Sequence, residues 1–172
     1  MTSCGPNTQS LNFTHMFDII DKRGKYPIEI SCPNSLLDII KKNPDFSRFY
    51  YMVKLSQLEN ILNCNQANFT IFIPSDKALS AKVNDNIFIN MDKCTAFNIV
   101  KSSMLNNRLS SEILEDCPEG YYYTVSEANR LYITNISGQT YIDNNIRIIK
   151  KDILAMNGII HITDNIIIPI II

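Results

Sequence analysis

Few groups in this 172-residue chain could do chemistry: two histidines, five cysteines and carboxylates scattered singly. His161 stands inside the apolar run Gly158-Ile159-Ile160-His161-Ile162-Thr163. The turn signal Asn157-Gly158 opens that run, and Pro169 closes the aliphatic stretch after it. An imidazole titrates near neutrality, so this one could be a pH switch, or a base if a Ser or Cys stood beside it. The simpler reading is a neutral core residue with both nitrogens hydrogen-bonded. Asp76 follows Pro74-Ser75 and could face a ligand or metal. Its position suits better the positive end of a helix that Ser75 caps. Asp164 could join a charge site and reads more simply as an acceptor for a turn. Neither has a second carboxylate or histidine at metal-ligand spacing. Cys4, Cys32, Cys64, Cys94 and Cys117 contain no C-x-x-C pair, so they read as free thiols rather than a zinc site or disulfide framework. Tyr121-Tyr122-Tyr123 could stack sugars or bases, but alternation turns Tyr122 away and excludes a three-ring platform along one flat strand. No G-x-S-x-G, phosphate loop, H-E-x-x-H or dinucleotide fingerprint is present, so a non-enzymatic chain without cofactor or metal is expected.

The elements that position these residues follow from pattern. Residues 1–33 read as a partly loose N-terminal extension, with a weak edge strand at Tyr26–Ile30. A single domain over 34–172 begins with a helix, Leu36–Lys42, capped by Ser35. Asp45–Leu62 has the clearest helical periodicity, its apolar residues recurring at steps of three and four. Phe69–Ile73 reads as a buried strand stopped by Pro74. Lys82–Asn90 reads as a loop, Asp92–Leu105 as a second amphipathic helix, and Arg108–Leu114 as a connection ending in a helical turn. Strands follow at Tyr121–Val125, Leu131–Ile136, Gln139–Asp143, Ile146–Ile149 and the His161 run. Ile166–Ile168 are expected to close the domain's own sheet, while Ile170–Ile172 could pack or add to a partner as a strand. Helices first, then strands, argues for an α+β fold.

Composition narrows the partners. Sixteen basic residues against seventeen acidic ones, a formal charge of -1 and no block of like charge exclude the electrostatic footprint of a nucleic-acid binder. The apolar Ile166–Ile172 run is far shorter than the ~20 residues that span a bilayer. Met1–Ser10 lacks the apolar core of a signal peptide, so the expectation is either a chain not secreted by the usual route or one whose signal has been removed. Abundant Ile and Asn with scarce Val fit an AT-rich genome, a giant DNA virus among the candidates. Asn12, Asn68 and Asn135 each open an N-glycosylation sequence, useful only in a secreted chain.

Three segments together resemble the fasciclin-type domain family over about residues 34–169. Ser35–Ser47, SLLDIIKKNPDFS, is similar to the family's opening helix. Asn68–Leu79, NFTIFIPSDKAL, resembles its first characteristic block. Asp152–Pro169, DILAMNGIIHITDNIIIP, resembles its second. The resemblance implies a β-wedge or sandwich of short strands with helices packed on one side, and places the two blocks on neighbouring core strands. It makes Thr70, Pro74, Ser75, Asp76, Asn157, Gly158, His161, Asp164 and Pro169 motif positions of structural rather than catalytic weight. The family's Tyr-His pair, associated with integrin binding in animal members, is Ser102-Ser103 here, so that role does not transfer. Leu79 replaces a usual Phe, and Asn106-Asn107 a usual Pro-Gly. What the resemblance implies is an adhesion or protein-interaction module with a protein or glycan partner, extracellular or on a virion surface. A small-ligand or glycan-binding protein with a Tyr-lined pocket is the alternative, and a hydrolase using His161 a third.

Overall fold

A computed structural model describes residues 33–169 apart from 83, 84, 117 and 118. The expected strand at Tyr26–Ile30, the fate of Ile170–Ile172, and Cys4, Cys32 and Cys117 lie outside the described residues.

The fold is built around β1 (Phe69–Pro74) and β7 (Gly158–Thr163), which pair in parallel from Phe69↔Gly158 to Pro74↔Thr163. The two sequence blocks therefore lie side by side. The other strands are β2 (Met104–Leu105), β3 (Gly120–Tyr123), β4 (Arg130–Ile136), β5 (Gln139–Ile142) and β6 (Ile146–Ala155). They form one seven-stranded sheet in the order β2-β1-β7-β6-β5-β4-β3. Just past β3, Thr124 bridges Leu105, and the Val125 N–H donates to Met104 O at 2.8 Å. The two ends of the sheet meet there, and the sheet wraps into a wedge.

Alternation divides the core in two. Ile71, Ile73 and Ile160 face the helices and pack with Phe46, Phe49 and Met52. Phe72 points inside the wrapped sheet with Leu131, Ile133 and Ile142. Full burial of each large side chain contributes about 1.5–3 kcal/mol, so both cores carry weight. The helices are α1 (Leu36–Lys42), α2 (Ser47–Ser56), α3 (Glu59–Leu62), α4 (Asp76–Lys82), α5 (Asp85–Ile89), α6 (Lys93–Ser102) and α7 (Ser111–Asp116). Ser35 caps α1 by accepting from Asp38 N at 3.1 Å.

Several expectations need correction. The single helix over Asp45–Leu62 is a 3-10 turn at Pro44–Phe46, then α2, then α3. Gln57 breaks it at φ 61°, and the apolar period runs on across the break, so the pattern could not reveal it. The 82–90 loop contains α5. The second amphipathic helix begins at its cap Asp92, which accepts from Thr95 N at 2.8 Å, and stops at Ser103. Met104 and Leu105 then leave as β2, because both are needed at the sheet edge beside Ile71 and Thr70. β6 is ten residues long, with register shifts between Ile148 and Lys150 and between Lys150 and Ile153. These bulges hide the alternation. Ile166–Ile168 add no strand: Ile166 enters the helical core, Ile167 enters the wrapped sheet, and Ile168 is exposed.

Candidate functional site

Thr70 on β1 and His161 on β7 reach from the sheet to the segment before α7. The Thr70 hydroxyl donates to Asn107 O at 2.6 Å and accepts from Leu109 N at 2.8 Å. His161 Nε2 lies 2.8 Å from Leu109 O, and its Nδ1 accepts from Asp152 N at 3.2 Å. A carbonyl can only accept and an amide N–H can only donate, so the ring is the neutral Nε2–H tautomer. The imidazole is fully buried and stacked on Phe72 at 5.7 Å between centroids. Burial pushes its pKa below the ordinary value, against the opposing pull of Leu109 O and the Asp152 carboxylate. Both nitrogens are spent on backbone groups, which leaves the ring no nucleophile to activate.

Asp152 sits at φ 60° on the bulged part of β6. Its carboxylate accepts from Ser111 N at 2.8 Å and from the Ser111 hydroxyl, and so caps α7 from another element. Burial raises this carboxyl, but the Ser111 bonds outweigh it and hold the pKa below the usual carboxylate value. Sequence reasoning did not single out Asp152. The charged stretch Lys150-Lys151-Asp152 inside a strand was the available signal.

The other motif positions also fasten elements together. Asn157 Oδ1 accepts from Leu36 N at 2.7 Å, and its Nδ2 donates to Leu62 O at 2.8 Å and Cys64 O at 3.0 Å. One side chain thus joins α1, α3 and the β6–β7 turn. A Cβ on Gly158 would stand 2.3 Å from Phe69 O and 2.8 Å from a Leu36 methyl, so the close approach of β1, β7 and α1 needs glycine. Ser75 caps α4 through Ala78 N at 3.1 Å, as read from sequence. Asp76 stands in the first turn of that helix, as expected, and its carboxylate also reaches another element. It accepts from Ser47 N at 3.2 Å, Arg48 N at 3.0 Å and the Ser47 hydroxyl. It supplies the cap that Phe46, at the N-cap of α2, has no side chain to give. Asp164 accepts from Arg147 N at 2.9 Å and lies 4.0 Å from Arg147 Nε, extending the β6–β7 ladder. Pro74 ends β1 opposite Thr163, whereas Pro169 lies beyond the last strand and ends none.

None of these nine positions lines the cleft that Ser47, Arg48, Tyr51, Phe88 and Ile89 form. Among the described residues no cluster of three or more His, Cys, Asp or Glu could hold a metal, and no helix is long and apolar enough to cross a membrane. Cys64 and Cys94 are free thiols.

Two surface features remain. A cleft of about 360 Å³ is lined by Ser47, Arg48, Tyr51, Phe88 and Ile89. The second lies on the outer face of β3 and β4, where the register sets Tyr121 opposite Tyr132 and Tyr123 opposite Arg130. The Tyr121 and Tyr132 rings are 5.0 Å apart, and the Arg130 guanidinium lies 4.0 Å over Tyr121. Tyr132 donates to Glu119 at 3.1 Å, which raises its pKa. Tyr121 and Tyr123 are 58% and 69% exposed. The ring platform excluded along one strand is assembled across two.

A family model described as Fasciclin domain matches residues 44–169. Human periostin is 29% identical over 138 residues, covering 78% of this chain and 16% of periostin. Human stabilin-1 is 26% identical over 130 residues, covering 76% of this chain and 5% of stabilin-1. The chain therefore spans a small part of the length of these relatives. The solved FAS1 domain pair of the insect cell adhesion molecule fasciclin I superposes with a TM-score of 0.66 at 22% identity, covering 81% of this chain and 51% of that one. With the two blocks paired as β1 and β7 and the model match spanning most of the domain, the chain belongs to the fasciclin domain family.

Proposed function

We propose that the chain is a non-enzymatic adhesion or protein-interaction module that works at a cell or virion surface without a cofactor. The observation that carries this reading is where its polar groups go. His161, Asp76, Asp152, Asn157 and Thr70 are spent on holding backbone, while Tyr121, Tyr123 and Arg130 stand outward. Tyr and Arg are the residues that dominate binding energy at protein interfaces. The insect relative of the same fold is a cell adhesion molecule. The Ile- and Asn-rich composition fits a giant DNA virus or another AT-rich genome, and the first of these would give the module a place on the virion. A pull-down from the native source with the immobilised chain tests the reading, followed by fractionation of cells and particles. Recovery of a surface or particle protein by the folded but not the denatured chain is expected. Recovery of nothing beyond the denatured control would overturn it.

Glycan or small-ligand binding is a second reading, favoured by the 360 Å³ cleft at Tyr51 and Phe88. Glycan-array binding lost in Tyr51→Ala would support it, and silence of the array would remove it.

A further inference from the structure

We infer that the outer face of β3 and β4 is the docking surface, and that its partner is a protein presenting a carboxylate to Arg130 between Tyr121 and Tyr123. The inference rests on the reading of the chain as an interaction module and names that module's working face.

Arg130 stacks on Tyr121 at 4.0 Å, and among the described residues it has no ion pair or side-chain hydrogen bond. Arg130 is exposed, and an arginine without an ion partner can take a carboxylate through two parallel bonds of its N–H fork. The nearby acids do not serve it. Glu119 accepts from the Tyr132 hydroxyl, and Asp143 accepts from Tyr132 N at 2.8 Å. The guanidinium therefore lies over Tyr121, on the residue opposite Tyr123, without an ion partner among the described residues, while Glu119 and Asp143 keep their charge nearby, so its complement is a single carboxylate seated on the fork rather than a broad acidic surface.

The shape favours a protein over a small ligand. β3 and β4 pair without a register shift, so the side chains stand on a regular sheet rather than around a cavity. Small ligands are held by concave sites with a small number of placed polar groups. A broad face of Tyr and Arg is what one protein offers another, because these side chains give large contact area at small conformational cost.

The test uses the full chain and a random-peptide display library as probe, with the polyuronate alginate as a parallel arm. Selected peptides are expected to be enriched in Asp and Glu. Their affinity should fall about tenfold or more in Arg130→Ala and in Tyr123→Ala. Arg130→Lys, which keeps the charge but loses the fork, should recover only part of it. Both positions are exposed, so melting temperatures should not move, and an unchanged melt shows that the loss is one of binding. Selection of no acidic peptides, or equal binding by wild type and Arg130→Ala, would overturn the inference. So would Arg130-dependent binding of alginate without peptides, which gives the face to sugars. Native-source capture that persists in Arg130→Ala leaves the module reading standing and removes this face. Arg130-dependent peptide binding with no native partner does the reverse.

Discussion

Replacing Asn157 with Asp changes one atom's chemistry and almost no volume. The oxygen that faces Leu36 N at 2.7 Å still accepts. The other terminal atom becomes an oxygen aimed at Leu62 O and Cys64 O, 2.8 and 3.0 Å from the nitrogen it replaces. Two carbonyls lose their donor and meet negative charge. A buried polar group left unpaired costs about 1–3 kcal/mol, so the pair costs about 2–6 kcal/mol before repulsion is added. That is a large share of the roughly 5–15 kcal/mol that holds a typical domain folded. Urea unfolding followed by circular dichroism should show a lower midpoint with an unchanged slope. Asn157→Ala also removes the acceptor for Leu36 N, so it should be at least as unstable. Acid gives a second check. The new carboxyl is buried against two carbonyls, so its pKa is raised. Once protonated it regains a donor, and the gap to wild type should narrow as pH falls. An Asp variant within about 0.5 kcal/mol of wild type, the range of an ordinary surface change, would refute the reasoning. So would a gap that widens in acid.

Gly158→Ala puts a Cβ 2.3 Å from Phe69 O and should cost about 1–3 kcal/mol through forced separation of β1 and β7; an unchanged midpoint would show that the strands yield freely. Because the folded pKa of His161 lies below 6.5, the unfolded chain binds more protons between those two values. Its contribution to stability is therefore complete above pH 6.5 and falls as pH drops through that window. His161→Gln, whose amide can donate to Leu109 O and accept from Asp152 N, should flatten the slope, and identical pH profiles would end this assignment. Asp152, with its pKa held below 3.8, adds a separate loss only in stronger acid, and Asp152→Asn should blunt that limb. Asp76→Ala removes the cap of α2 and should cost about 1 kcal/mol, read as a lower urea midpoint; no change would mean that water replaces the carboxylate.

The parts of this fold legible in sequence are those set by local rules. Ser35 and Ser75 cap the helices they precede, and β1 and β7 announce themselves as short apolar runs between turn signals. What stayed hidden depends on partners far away in sequence. Asp76 does open its own helix, but its second role, capping α2, shows only when Ser47, 29 positions earlier, is brought beside it. β6 looks four residues long because Asp152, with its left-handed backbone and its bonds to Ser111, interrupts the alternation. The Tyr–Arg face needs the β3–β4 register, which no single segment encodes. The low exposure of His161 follows from its apolar neighbours, but its tautomer follows from Leu109 O and Asp152 N, 52 and 9 positions away.

As proposed, labour is divided between inward polar residues that hold the fold and an outward aromatic face as the docking surface. The most direct test measures stability and peptide affinity together in Asn157→Asp, His161→Gln, Tyr123→Ala and Arg130→Ala. The inward pair should change the urea midpoint or its pH dependence while the protein, held where it stays folded, keeps wild-type affinity. The outward pair should keep the wild-type midpoint and lose about tenfold or more in affinity. Affinity lost in folded His161→Gln, or kept in Arg130→Ala, would contradict that division.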